Sequence, residues 1–128
     1  MKSPNQALAD AFYRVCLDQG YVVTFDLNDK KLTYPFVYVG NTQTVNIGIK
    51  NARQGNLVIH LDVWDTFKNR KRVSDYVEAL YQVARKGFEI DSFSFSLRPS
   101  ASFDSLGIDN STNTTLWRGQ LELEFYFS

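Results

Sequence analysis

The chain has 128 residues, a length that fits a single domain. Hydrophobic residues make up 44% and aromatic residues 15% of it, which is enough for a core and excludes the disordered class. Fourteen basic residues balance fourteen acidic ones, so the composition argues against a general nucleic-acid binder, whose affinity depends on a strongly basic face. A nearly neutral chain also repels copies of itself weakly, which favours self-association.

The N-terminal segment predicts a helix. Ser3 is a suitable N-cap, Pro4 suits the first helical position and Gly20 suits the exit. Apolar residues follow helical spacing between them: Leu8, Phe12, Val15 and Cys16. The segment lacks the apolar run of a signal peptide, and no segment has the ~20 apolar residues that span a bilayer. We therefore expect a soluble protein that is intracellular when it folds.

Three strands are predicted in the first half of the chain. Residues 22–27 are rich in β-branched and aromatic residues, and the polar residues 28–31 predict a turn after them. Residues 35–40 predict a second strand that begins with a proline, where proline costs no ladder bond. We expect residues 41–55 to form a long, partly extended loop or an edge hairpin. Residues 57–64 form the clearest strand of the chain. Its two sides are Leu57, Ile59, Leu61 and Val63 against Val58, His60, Asp62 and Trp64.

The second half predicts a helix, two strands and a long loop between the strands. The helix begins near Lys71 and ends at Gly87. Its apolar stripe is Val73, Tyr76, Val77, Leu80, Tyr81 and Ala84. Serine alternates with apolar residues over residues 92–97, and glutamate alternates with apolar residues in the strand 116–127. Residues 98–115 have few apolar anchors, so we expect a functional loop or one that orders on binding.

This order of elements predicts one α+β domain over residues 1–128. We expect an antiparallel or mixed β-sheet with two α-helices packed on one face. The serine side of the strand at 92–97 and the glutamate side of the last strand would then point away from the helices.

Residues that carry catalytic chemistry are sparse. His60 is the one histidine, so Ser-His-Asp, Cys-His and multi-histidine metal sites must all draw on it. Cys16 lies among apolar residues and is expected to be a small buried hydrophobe. Glu122 and Glu124 share one side of a strand, as do the Mg²⁺-binding pairs of some nucleases, although alternating glutamates on a solvated face are the commoner arrangement. No zinc-type Cys/His spacing or glycine-rich phosphate loop is present, and we expect no catalytic residue, metal or cofactor.

The densest charge cluster is a basic run before and within the start of the second predicted helix. It consists of Lys68, Arg70, Lys71 and Arg72. Three interpretations stay open: a phosphate-contacting patch, because a helix N-terminus favours anions; a solvated helix entrance; or salt bridges to the acidic strand of a neighbouring subunit. Aromatic residues of the kind favoured in protein interfaces also occupy strand positions away from the predicted core side or at strand ends. They are Tyr34, Tyr38, Trp64, Trp117 and Tyr126.

Four segments carry a resemblance to a known family. They are YPFVYVG at 34–40, LVIHLDVW at 57–64, KNRKRVS at 68–74 and WRGQLELEF at 117–125. Their order resembles that of the small tail-completion or tail-terminator proteins of siphophages, also described as head–tail joining or minor tail proteins. The resemblance covers nearly the whole chain. The serine-rich strand at 92–96 and the polar segment after it depart from the family pattern.

The resemblance implies an α+β subunit that closes into a ring, commonly a hexamer. Such a ring stops growth of the tail tube and joins the tail to the head, so the chain would be a structural protein of the virion tail, assembled in the host cytoplasm, and not an enzyme. The implied partners are further copies of the chain, the major tail protein and head-connector proteins. DNA would pass through the bore without being read in sequence, and no membrane is involved.

Two sets of residues are expected to make these contacts. Candidate subunit or lumen contacts are Lys68, Arg70, Lys71, Arg72, Glu122 and Glu124. Candidate residues of partner-binding loops are Asn41, Gln43, Lys50, Arg53, Phe103, Asp104 and Asn110. The alternatives are a neighbouring head–tail connector or neck protein, a small metal-dependent nuclease or hydrolase using His60, Glu122 and Glu124, and an adaptor that binds one partner as a monomer.

Overall fold

A computed structural model of the chain describes residues 2–46 and 54–128, with Asn46 described in its backbone alone. The helices are α1 (Pro4–Asp18) and α2 (Arg70–Lys86), with short 3₁₀ turns at Phe67–Asn69 and Pro99–Ala101. The strands are β1 (Val22–Thr24), β2 (Phe36–Asn46), β3 (Gly55–Thr66), β4 (Phe88–Ile90), β5 (Phe93–Leu97), β6 (Phe103–Asp109) and β7 (Leu116–Phe127). The predicted α+β class is confirmed.

The described strands form one mixed sheet of seven strands in the order β1-β2-β3-β7-β5-β4, with β6 also beside β7. Among the described strand pairs, only β1 and β2 are parallel, and the others are antiparallel. All of β7 pairs with β3 on one side, from Gly55 opposite Phe127 to Thr66 opposite Leu116. On its other side β7 pairs first with β6 and then with β5. The two longest strands therefore form the centre of the sheet.

Both helices pack on the same face of this sheet, as the sequence predicts. The helices contribute Leu8, Phe12, Cys16, Val73, Val77, Leu80 and Ala84 to one buried cluster. The central strands contribute Leu57, Ile59, Leu61, Val63, Leu121, Leu123, Phe125 and Phe127 to it. Because side chains alternate along a strand, the even-numbered residues of β3 and β7 lie on the opposite side. We call this side the helix-free face; its side chains include His60, Asp62, Trp64, Arg118, Glu122, Glu124 and Tyr126.

The predicted helix ends are confirmed. The Ser3 hydroxyl accepts a hydrogen bond from the backbone N–H of Gln6, which satisfies a free donor in the first turn of α1. Helix α2 ends at Gly87, whose φ of 73° lies in the left-handed region. A Cβ at this position would lie 2.5 Å from the carbonyl oxygen of Phe95. Glycine is therefore required here both by the backbone angle and by the close approach of β5.

Residues 41–46 form one arm of an edge hairpin with β3, which is the second of the two predicted alternatives; the loop alternative is wrong. They continue β2 past a register shift between Val39 and Thr42, and they pair with β3 up to Asn46 opposite Gly55. The ladder to an apolar neighbouring strand, and not a pattern of their own, makes these polar residues a strand. Residues 47–53 lie outside the described part of the chain. Strand β1 is shorter than predicted because the Thr24 hydroxyl bonds both the N–H and the carbonyl of Asp26, which turns the chain.

The prediction of a long loop at residues 98–115 is wrong. Residues 99–101 form a 3₁₀ turn, and β6 then pairs with residues 116–122 of β7. Most of β6 is exposed, and Leu106 is its one residue that packs against the main core. An edge strand with one core contact gives no alternating apolar pattern, so the sequence signal for it is absent. The sequence does not predict β4, because a strand of three residues is too short to show an alternating pattern.

We expect Gly119→Ala to destabilise the fold. Gly119 lies in β7 under α2, and a Cβ there would be 2.4 Å from Cγ2 of Val77 and 3.0 Å from Cγ1 of Val73. Valine is stiff in a helix, so the helix must move, at a cost of about 1–3 kcal/mol. Gly107→Ala in β6 is the matched control, because a Cβ there meets nothing within 4 Å. Urea denaturation measures both, and equal free energies of unfolding for the two variants would contradict this packing.

Candidate functional site

The basic run is anchored by an ion pair within the chain. The Asp65 carboxylate, at the end of β3, is fully buried and accepts hydrogen bonds from Nε and Nη2 of Arg72. Its Oδ1 also accepts the backbone N–H of Thr66 at 2.7 Å. The hydrogen bond from Arg72 to Asp65 raises the pKa of the guanidinium, which therefore stays charged. Arg72 thus joins the start of α2 to the end of β3, and sequence reasoning did not find its partner.

The other members of the run are more open to solvent. Nζ of Lys71 lies 2.9 Å from Asp75 one helical turn away, and both side chains are exposed. The Arg70 guanidinium lies 5.2 Å from the centre of the Trp117 ring, in reach of a cation–π contact. Within the part of the chain that the structure describes, Lys68 has no ion-pair partner. Lys68, Arg70 and Lys71 therefore remain available for contacts with other molecules.

Glu122 and Glu124 share the helix-free face, as predicted, but have different partners. An oxygen of Glu122 lies 3.6 Å from Nε2 of His60, its neighbour on β3. Glu124 instead accepts a hydrogen bond from Nη1 of Arg98, which follows β5. Both are on the side opposite the helices, so within one subunit they do not meet the basic run of α2. Salt bridges between these groups of different subunits stay a prediction.

These contacts bear on the hydrolase alternative. His60 and Glu122 are brought together, whereas Glu124 is directed to Arg98. Among residues 2–46 and 54–128, no three His, Cys, Asp or Glu side chains are arranged so that they could hold a metal ion. The metal site that this alternative requires therefore has no third ligand in the described residues.

Arg118 forms the centre of a charged cluster that sequence reasoning missed. Its Nη2 lies 3.2 Å from Asp62, its Nη1 lies 3.9 Å from Asp109, and its guanidinium stacks 4.8 Å above the Trp64 ring. Trp64 in turn donates its indole N–H to Asp109 at 3.0 Å. Hydrogen bonds from Ser111 and Trp64 lower the pKa of Asp109 to about 2, so this carboxylate is ionised at neutral pH. The cluster joins β3, β6 and β7 on the helix-free face.

Most of the aromatic residues predicted for interfaces are more buried than expected. Trp64 and Phe36 are each 8% exposed and pack with Leu116 in a second apolar cluster. Tyr34, by contrast, is 46% exposed. Tyr38 packs against this second cluster, Trp117 donates to the carbonyl of Phe67, and Tyr126 donates to Gln54. Tyr34 is therefore the most open of the five aromatic residues Tyr34, Tyr38, Trp64, Trp117 and Tyr126.

The residues assigned to partner-binding loops lie mostly on strands. Asn41 and Gln43 are in β2, Phe103 and Asp104 begin β6, and Asn110 lies in the turn between β6 and β7. Two further residues, Lys50 and Arg53, lie outside the described part. The loop assignment is wrong for Asn41, Gln43, Phe103 and Asp104, while binding of partners by these residues stays a prediction.

The sheet has two open edges of appreciable length. In the described residues, 39–46 of β2 pair only with β3, and β6 pairs only with β7. Their outer backbone N–H and C=O groups have no neighbouring strand. Exposed apolar side chains mark both edges, with Val45 52%, Phe103 56% and Ile108 52% exposed. Such edges are templates for pairing with another chain.

No protein-family model matches this sequence, and no curated protein matches it. Neither helix of the described residues is long and apolar enough to cross a bilayer. Both helices instead turn their apolar sides to the sheet.

We expect Arg72→Met to lower the melting temperature by about 5–10 °C, because it leaves the buried Asp65 carboxylate without its cation. Lys71→Met is the matched control. It breaks an exposed pair on the same helix and should change the melting temperature by less than about 2 °C. Thermal melts followed by circular dichroism measure both, and similar melting temperatures would contradict an anchoring role of Arg72. Tests of the basic run in assembly must therefore keep Arg72.

We also expect Cys16 to be inert in the folded protein. Its side chain is fully buried in α1, and burial raises the pKa of the thiol to about 12. Because the thiolate is the reactive form, an aromatic disulfide reagent at pH 8 should label the chain only after urea unfolds it. Fast labelling without urea would show that the helix–sheet interface opens or that the thiol is accessible.

Proposed function

We propose that this chain is a structural subunit of a phage virion that assembles with copies of itself into a ring, acting as a tail terminator or tail-completion protein. Two kinds of support come together. The order of four sequence segments resembles this family, and the single sheet has open edges on both sides of its centre. The open edges are the observation that carries the proposal.

The two open edges have compatible directions. Strand β2 is antiparallel to β3, β3 to β7, and β7 to β6, so β2 and β6 run in opposite directions. When two copies lie side by side in the same orientation, β6 of one copy is therefore antiparallel to β2 of the next. Such a head-to-tail contact uses two different surfaces, and it generates a ring whenever the rotation between copies closes.

The side chains at these edges are consistent with burial on assembly. Phe103 and Ile108 on β6 and Val45 on β2 are more than half exposed in the single chain. Exposed apolar side chains on an open strand edge promote association, and neither edge is blocked by a proline. Pairing of β6 with β2 of a neighbour would satisfy the backbone groups and cover these side chains together.

A continuous sheet in the ring would keep all helices on one side and all helix-free faces on the other. On the helix-free face the acidic side chains Asp62, Asp109, Glu122 and Glu124 outnumber the arginines Arg98 and Arg118. A surface of this charge releases no counterions from DNA and so does not hold it. It would suit a bore through which DNA passes without being bound.

A neighbouring neck or connector protein is the second form of the proposal, since the edge geometry serves any ring. A terminator is distinguished by its partner: it binds the end of a tail tube and stops further addition of tube subunits. Lys68 and Arg70, at the end of the sheet where β3 leads into α2, are the side chains that we propose for contacts with such partners.

We expect purified protein to form closed rings, with a mass measured by light scattering that rises with concentration to a fixed multiple of the chain. The double variant Phe103→Lys and Ile108→Lys should shift the population to monomer, because lysines on a strand edge oppose pairing. Leu17→Lys is the control, since Leu17 is 55% exposed but lies on α1, away from both edges. A wild-type chain that stays monomeric at all concentrations, with no rings in negative stain, would contradict the proposal. Equal assembly of all three proteins would exclude the β6 edge.

A further inference from the structure

A cavity of about 390 Å³ opens beside the helix-free face. It lies between the segment that joins β1 to β2 and the turn that follows β6. Residues from both segments line it, together with Phe36, Trp64 and Leu116 of the sheet. This volume is in the range of sites that hold small molecules or single side chains. The residues of the proposed ring contacts and of the basic run do not line this cavity.

Aromatic rings form its apolar walls. The Phe36 and Trp64 rings lie 5.4 Å apart, and the Tyr34 ring stacks 5.7 Å from Phe36. Phe36 and Trp64 are nearly buried and packed with Leu116, so the floor of the cavity is fixed. Tyr34 and Leu27 are close to half exposed and form its rim. An occupant would therefore meet a rigid apolar floor and an open aromatic rim.

The charged side chains of the lining are acidic. Asp29 and Asp109 line the cavity, and no lysine, arginine or histidine of the described residues does. Asp109 is held in place by the indole N–H of Trp64 and the backbone N–H of Ser111. Oδ1 of Asp29 accepts the backbone N–H of Lys31, which fixes this carboxylate as well. Arg118 approaches Asp109 only to 3.9 Å and is closer to Asp62, at 3.2 Å.

We propose that this cavity binds an organic cation, a quaternary ammonium or guanidinium group. Aromatic faces attract such cations through their negative centres, and the two carboxylates supply the opposite charge. An anion would be repelled by the same carboxylates, and a neutral molecule would gain no charge attraction from them. The cation is either a free small molecule or the basic side chain of a partner chain.

The wild-type protein contains its own probe and its own internal reference. It has two tryptophans, so a spectrum of ¹⁵N-labelled protein shows two indole N–H signals. The indole N–H of Trp64 bonds to Asp109 at the cavity, whereas Trp117 donates to Phe67 beside the start of α2. Choline should shift the Trp64 signal with saturation in the millimolar range, and the Trp117 signal should not move.

Neutral isosteres separate recognition of charge from filling of an apolar space. 3,3-Dimethyl-1-butanol has the shape of choline without its charge, and N-acetyl-citrulline amide is the neutral counterpart of N-acetyl-arginine amide. The cations should bind at least about tenfold more tightly than their neutral counterparts. Equal binding of cation and isostere would overturn the proposal, as would no binding by either cation. Tighter binding of the arginine amide than of choline assigns the site to a basic side chain, and the reverse order assigns it to a free small-molecule cation.

Asp29→Asn tests the assigned residues with a matched control. Asp26 lies in the same segment and makes the same kind of bond, accepting the N–H two residues ahead, but it does not line the cavity. Asp29→Asn should weaken the affinity for the cation at least about fivefold, while Asp26→Asn leaves it unchanged. Both variants should have the melting temperature of the wild type. Equal affinities for the two variants would contradict the assignment.

Discussion

The ladder between β3 and β7 is the constraint on which the rest of the structure depends. Its register joins twelve residue pairs and sets what lies on both faces of the sheet. On the helix side it places Gly119 opposite Val63, which leaves room for α2. On the helix-free face it places Arg118 opposite Trp64 and Glu122 opposite His60. A slip of one residue would exchange the two faces and bury the charges, so the apolar core and the charged cluster depend on one register.

The elements that the sequence predicts are those whose own residues carry the signal. Strand β7 and the first half of β3 alternate in burial, and α1 and α2 have capping residues and apolar stripes, because each of these segments buries one side of itself. The residues 41–46 of β2 and the strand β6 bury little and are held by hydrogen bonds to a neighbour. Their polar, exposed sequences show little period, so the sequence predicts a loop for β6 and leaves residues 41–46 open between a loop and an edge hairpin. Pairing decides their structure, and pairing is a long-range property.

The same distinction separates the parts of the site that could be predicted. The basic run is visible as a cluster in the sequence, and the shared face of Glu122 and Glu124 follows from their spacing. The partners of these residues do not follow from spacing: Arg98 reaches Glu124 from the segment that follows β5. Arg118 stands alone in the sequence and becomes the centre of a cluster only because three strands meet there. Composition locates charges, whereas the register of the sheet determines what they bind.

The proposed assembly edge and the proposed cation site share one strand: the edge runs along β6, and the cavity uses only its last residue. β3 pairs with all of one side of β7, and β5 and β6 share its other side. The outer side of β6 is therefore left without a partner strand among the described residues. The last residue of β6, Asp109, turns instead to Trp64 and the cavity. Phe103 and Ile108 lie outside the cavity lining, so the edge can be blocked while the cavity keeps its residues. A neighbour that pairs with β6 would cover the strand beside Asp109 and add to the wall of the cavity. If the cation is a side chain of that neighbour, assembly and binding at the cavity are thermodynamically linked, and each strengthens the other by the same factor.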